Sequence, residues 1–247
     1  MSEISRCAAY TRFEAVRLLR SSGFIGPAVI IPTVMYLVFT RLGENAGDSD
    51  VAQYLMISMA CFGAVGAALA NGLGASEERD LGWLQQLRLT PLSPASAVLG
   101  RAILGIAVAL PPIVVVLLVG AVVNHVQLTA LHWAASAAGL LVGATPFSLL
   151  GICFGYVIRS TQLAQQLSML SNLGLALVGG LWIPANNFPS ALERISSWTP
   201  TSAYAGLGRG LAGVRHLDAA DVGKLTLWSI VLAAVAVAAY VRAIRVD

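Results

Sequence analysis

Apolar positions in this chain run on for long stretches without a single charge. No Asp, Glu, Lys or Arg occurs across 21–40, 51–76, 102–158, 160–192 or 225–241. A helix crossing the roughly 30 Å hydrocarbon layer of a bilayer needs about 20 residues at 1.5 Å each. The interval 102–158 is therefore long enough for two spans joined by a polar, uncharged turn. The pattern predicts six transmembrane helices, at about 24–40, 52–74, 97–122, 134–158, 163–183 and 223–241. Strands of an outward-facing barrel would alternate in polarity, and the run Ile113–Val123 does not. The expected fold class is thus an all-α integral membrane protein, with residues 1–247 forming one membrane domain without internal repeats.

Composition supports this picture: 57% of residues are hydrophobic and 11% charged, against roughly a quarter charged in soluble domains. With an even number of spans both termini lie on one side, and arginine decides which. Arg6, Arg12, Arg17, Arg20, Arg79, Arg88, Arg101, Arg159, Arg242 and Arg245 fall on one side; Arg41, Arg194, Arg209, Arg215 and Lys224 fall on the other. Both termini are expected in the cytoplasm. The first twenty residues carry four of those arginines and no apolar core, which argues against a cleaved leader. The net charge of +3 reflects this orientation and not nucleic-acid binding, since no basic patch is interleaved with exposed aromatics. Cys7, Cys61 and Cys153 are too far apart in sequence to form a paired motif for metal or disulfide.

Three segments outside the spans have a pattern of their own. Residues 1–22 predict an interfacial helix, with Arg6, Arg17 and Arg20 opposite Ile4, Ala8, Ala15, Leu18 and Leu19, although Arg12 and Phe13 interrupt the pattern. It either anchors the topology or docks a cytoplasmic partner. Between spans two and three, Ser76–Pro94 predicts a cytoplasmic helix: Ser76 as cap, Glu77 and Glu78 in the first turn, Arg88 near the end and Pro91 as stop. Leu81, Leu84 and Leu87 give it an apolar edge, fit for docking or for resting on headgroups. After span five, Gly179–Leu211 combines Pro184, Pro189 and Pro200 with periodic pieces at about 189–197 and 201–211. These predict outer helices that lie at the interface or re-enter the membrane.

Candidate chemistry is sparse. An intramembrane enzyme or ion-coupled carrier needs acids, bases or metal ligands inside its spans, and this chain places none well inside any of them. His125, His132 and His216 flank spans and read as interfacial residues, and neither GxSxG nor HExxH occurs. The GxxxxGK[ST] phosphate cradle is also missing, so any nucleotide hydrolysis belongs to another polypeptide. In span five, Ser168, Ser171 and Asn172 are candidates to face a substrate path, or else glue helices together. Pro111, Pro112 and Pro146 predict kinks in spans three and four.

Taken together, "EERDLGWLQQLRLTPLSP" resembles the cytoplasmic-loop signature of the ATP-binding-cassette type-2 transport permeases, with Glu78, Arg79, Gly82, Leu84, Leu87, Thr90 and Pro91 in order. Pro184, Phe188, Pro189, Leu192, Ile195, Pro200, Tyr204 and Arg209 are similar to that family's pattern after the fifth span, and the stretch from Arg12 to Phe39 is similar to its surface helix and first span. Trp83 and Gln85 depart from the family's usual residues, which bears on partner choice. The resemblance implies an exporter permease in the bacterial plasma membrane, paired with a second copy or a sibling. It implies no cofactor in this chain, with ATP and Mg on a separate ABC-type ATPase subunit. Residues Glu77, Glu78, Arg79, Gly82, Leu84, Leu87, Thr90 and Pro91 would form the coupling helix, braced by the amino-terminal helix with Arg6, Arg12, Phe13, Arg17 and Arg20. Membrane lipid is an expected partner and nucleic acid is not. The competing class is a non-transporting membrane interaction or sensor subunit that docks a cytoplasmic partner.

Overall fold

The computed structural model of the protein describes residues 22–42, 48–72, 74, 76, 94–158, 160–183 and 188–246. Among them there is no strand, and the helices run in the order α1 (Ser22–Leu42), α2 (Ser49–Asn71), α3 (Pro94–Val108), α4 (Leu110–Val123), α5 (Ala130–Gly143), α6 (Thr145–Val157), α7 (Thr161–Val178), α8 (Ser190–Trp198), α9 (Pro200–Leu211) and α10 (Ala219–Val246). Helices stand at all six places where apolar intervals predict them. Four stretches are long and apolar enough to cross a membrane: Ser49–Asn71, Pro94–Val123, Ala130–Val157 and Ala219–Ile244. The apolar part of α1, Gly26–Leu42, is shorter. In α7 the leucines are interrupted by Gln162, Gln165, Gln166 and Asn172, and it is not among the four.

The predicted prolines act where expected. The helix ladder breaks at Ala109, just before Pro111 and Pro112, and at Ala144, before Pro146. Each break keeps a turn of tighter bonding: Ala109 N–H donates to the Ile106 carbonyl (3.1 Å) and Ala144 N–H to the Leu141 carbonyl (3.3 Å). Proline has no N–H to continue the ladder. At the second break the Thr145 hydroxyl donates to Val142 O at 2.6 Å, the carbonyl that Pro146 leaves without its backbone donor. The fifth predicted span is a correction: helix α7 stops at Val178, not near 183, because Gly180 takes φ 72° and the chain turns back with Leu181 N–H on the Ala176 carbonyl.

Helix α2 is the central post. It touches α1, α3, α4, α5, α6, α7 and α9, and its middle is sealed from Met56 to Val65. Small residues let its neighbours come this close: a Cβ on Gly72 would overlap the backbone of Gly151 in α6, and one on Gly151 would overlap the Leu69 carbonyl. Large aliphatics such as Leu118, Val122, Leu131, Leu227 and Ile230 remain exposed on the rim of the bundle, as surfaces facing lipid do.

The predicted outer pieces are two helices, α8 and α9, within a residue or two of their expected bounds. Helix α9 is not a surface element. Pro200, Thr201, Ala203, Tyr204, Ala205, Gly206 and Gly208 are all buried against α2, α5 and α10. Tyr204, fully enclosed, donates from its hydroxyl to the Leu140 carbonyl at 2.6 Å and rests its ring against Phe147 at 5.4 Å. Tyr204→Phe removes only that hydrogen bond. It is expected to cost about 1 kcal/mol, seen as a lower thermal unfolding midpoint of the purified protein with unchanged oligomeric state.

Candidate functional site

Helix α7 begins with Ser160, whose hydroxyl accepts from Leu163 N–H. One turn spacing then stacks Gln165, Ser168, Met169, Asn172 and Leu173 along the side facing α1 and α2. There they line a cavity of about 380 Å³, within the usual size range of small-molecule sites. Helix α1 supplies Pro27, Ile31, Pro32 and Met35; α2 supplies Phe62, Gly63, Gly66 and Ala70. Trp182 also lines it, its ring edge-on to Phe62 at 5.4 Å. Gly66 has no Cβ because the Asn172 amide nitrogen would lie 2.8 Å from one. Pro27, Ile31, Gln165, Met169 and Leu173 are exposed on the rim, so the cavity opens sideways between α1 and α7.

Of the three path candidates, the structure brings Ser168 and Asn172 to this cavity, while Ser171 does not line it. Their spacing of four places them on one face of α7, and Ser171 falls to the side. The proposed coupling residues Glu77, Glu78, Arg79, Gly82, Leu84, Leu87, Thr90 and Pro91 lie outside the described residues, as do Arg6, Arg12, Phe13, Arg17 and Arg20 of the amino-terminal helix. The edge of the loop is placed: Ser76 is buried and its hydroxyl donates to Gly155 O in α6 at 3.1 Å.

Two arginines are more deeply placed than their flanking positions imply. Arg101, grouped by sequence with the topology-setting charges, is 3% exposed in α3 and its carbonyl accepts from the Asn71 amide at 3.0 Å. Arg209 reaches from α9 into the bundle. Its Nη2 donates to Ser58 Oγ (2.9 Å) in α2 and to Gly180 O (3.1 Å), and its guanidinium lies 3.8 Å over the Tyr54 ring. The Tyr54 hydroxyl donates to the same Gly180 carbonyl at 3.3 Å. Arg209 thus ties the outer helix α9, the central post α2 and the turn after α7 that carries Trp182. In sequence it is marked by its place in the family-like pattern after the fifth span and by its setting in a helix of small residues, which can pack closely enough to bury it. Arg215, by contrast, pairs with Asp221 beside the surface. Among the described residues, no cluster of His, Cys, Asp or Glu could hold a metal ion.

A helical bundle with a sideways-opening, uncharged cavity is suited to moving or holding an amphipathic molecule. Residues 26–242 match the family model described as ABC-2 family transporter protein. The chain belongs to the ABC-2 transporter family. It is also 34% identical over 196 residues, covering 76% of this chain and 78% of the relative, to the Bacillus subtilis (strain 168) protein named "Putative transport permease YvfS". The family match covers the whole described bundle from α1 to α10, apart from a few terminal residues. As an ABC-2 permease the chain is a multi-pass membrane protein of a transport family.

Proposed function

We propose that this ABC-2 permease is the membrane subunit of an ATP-driven exporter, working as a dimer or beside a sibling permease and energised by a separate ABC-type ATPase chain that holds ATP and Mg. The observation that carries this reading is a transporter-family match over 26–242 in a chain whose full sequence has no phosphate-binding loop. On this reading the fuel is burned on that separate chain.

Two further features support it. If α1 and α7 also cross, as the sequence pattern predicts, the count is six and both termini return to the arginine-rich side, expected to be the cytoplasmic face of a bacterial plasma membrane. The outward side of α7 exposes Gln162 and Gln166 among Leu163, Leu167 and Leu170. Amide side chains have no partner in hydrocarbon, so this face suits a second protein surface or a water-filled path better than lipid. Coupling is assigned to the segment from Glu77 to Pro91. Its entry, Ser76, is bonded at the end of α6, and its exit, Pro94, opens α3, whose first turns share a buried cluster with Cys153 and Tyr156 of α6.

The test is reconstitution with the ATPase that co-purifies with this chain. ATP-dependent efflux from proteoliposomes is expected, and Glu78→Ala or Gly82→Leu should lower it about tenfold while membrane insertion stays unchanged. Efflux indifferent to both substitutions, or a chain that co-purifies with no nucleotide hydrolase, overturns the assignment.

A further inference from the structure

The cavity between α1, α2 and α7 is unusual in its polar atoms. None of its lining among the described residues is charged. Yet three of the residues around it carry a side-chain atom that is sealed from water and has no hydrogen-bond partner among the described residues: Ser168 Oγ, Asn172 Oδ1 and Trp182 Nε1. Each such atom is a cost of folding, and native interiors hold few of them. Others occur elsewhere in the bundle, such as Ser136 Oγ and Thr201 Oγ1, but three gather around this one hollow. Their chemistry is complementary: the indole N–H only donates, the amide oxygen only accepts, and the hydroxyl does either. A small turn about χ1 of Ser168, or a rotation of the Asn172 amide, presents these groups to the hollow. Gly66 leaves the amide the space it occupies.

The rest of the wall is apolar, with Met35, Phe62, Met169 and Leu173. From Gln165 to Leu173 the wall follows about 12 Å of helix, long enough for an extended acyl or prenyl segment. A charged head brought here would have no counter-charge and little water, which is strongly unfavourable.

Resting on the transport reading above, we propose that the cargo of this cavity is an uncharged amphiphile: an apolar chain lying along α1 and α7, with a hydroxyl or carbonyl group held by Trp182, Ser168 and Asn172. Entry is sideways from the bilayer, past the exposed Ile31 and Met169. Neutral polar groups select by leaving the wrong ligand unpaired, a stronger filter than apolar fit.

The experiment uses the full-length protein in lipid nanodiscs, with occupancy read by native mass spectrometry. Four probes of equal chain length are compared: monolaurin, lauryltrimethylammonium, laurylsulfonate and dodecane. Monolaurin is expected to bind about tenfold more tightly than either charged probe, and more tightly than dodecane. Trp182→Phe keeps an aromatic ring and removes the N–H together with part of the indole's bulk, for which dodecane is the control; Asn172→Leu keeps the shape and removes the amide. Each should weaken monolaurin about tenfold and leave dodecane unchanged. Equal or tighter binding of a charged probe overturns the inference, as does monolaurin binding that ignores both substitutions. The expected binding pattern without any ATP-driven efflux would leave this site standing and sink the exporter reading. ATP-driven efflux without the neutral preference would do the reverse.

Discussion

Gly151→Val is expected to prevent stable assembly of the helix bundle. At this point α2 and α6 cross backbone to backbone: a Cβ on Gly151 would lie 2.9 Å from Leu69 Cα and closer still to its carbonyl, and the facing Gly72 has no more room. Neither position needs glycine for its backbone angles, since Gly72 has φ −64°. The requirement is one of distance alone. Where the obstacle is another helix's main chain, no rotamer change relieves it, and the helices have to separate. Overpacking of flexible side chains costs about 1–3 kcal/mol; here about 3 kcal/mol or more is expected, because the whole α2–α6 contact is displaced. The measurement is the monodisperse yield and unfolding midpoint of the purified protein. Gly223→Val, at a site with no neighbour within 4 Å, is the control and should keep most of the yield. Normal yield from Gly151→Val would mean that α2 and α6 do not cross this closely.

The second large effect is expected at Arg209. Its guanidinium makes two charge-assisted hydrogen bonds and lies over Tyr54, but taking it out of water offsets much of that gain. Ser58 and Gly180 are not orphaned by its removal: the Ser58 hydroxyl donates to the Tyr54 carbonyl, and Gly180 O accepts from the Tyr54 hydroxyl. Arg209→Met is therefore expected to cost about 2 kcal/mol, mostly by loosening α9 and the turn at Gly180. Arg209→Lys should do at least as badly. Lysine brings the same charge to the same depth without the planar fork that reaches both oxygens, and its ammonium is more strongly hydrated. Faster tryptic cleavage after Arg194, in the adjoining α8, reads the loosening directly. If Arg209→Lys behaves as the unsubstituted protein, charge alone suffices and the bridging geometry is irrelevant.

Much of the architecture is legible in the residue pattern because charge is excluded from the bilayer at high cost. Every charge-free interval is occupied by helix, and the prolines of spans three and four coincide with interruptions at Ala109 and Ala144, whereas α1 runs unbroken through Pro27 and Pro32. The outer helices are legible too, because proline marks their first turns and three- to four-residue periodicity their faces. What escapes the pattern is depth and pairing. Arg101 and Arg209 count as flanking charges by position, yet a long side chain in a helix of small residues can be drawn inward wherever a neighbour offers oxygen or an aromatic face. Ser168, Ser171 and Asn172 are equivalent by composition, and only the packing of α7 on α2, with the cavity it leaves beside α1, separates Ser171 from the other two. The Gly72–Gly151 crossing needs knowledge of which helices meet, which no single segment contains.

The interruptions at Ala109 and Ala144 have a mechanical consequence. Helices α3 and α6 pack together on one side of them, and α4 and α5 on the other, so two broken rods stand side by side, each jointed near mid-length. These two rods are thereby divided into two storeys, while α2 runs unbroken beside both. Any tilt of one storey against the other concentrates at those joints, where proline has already removed the ladder bonds that bending an unbroken rod would have to stretch.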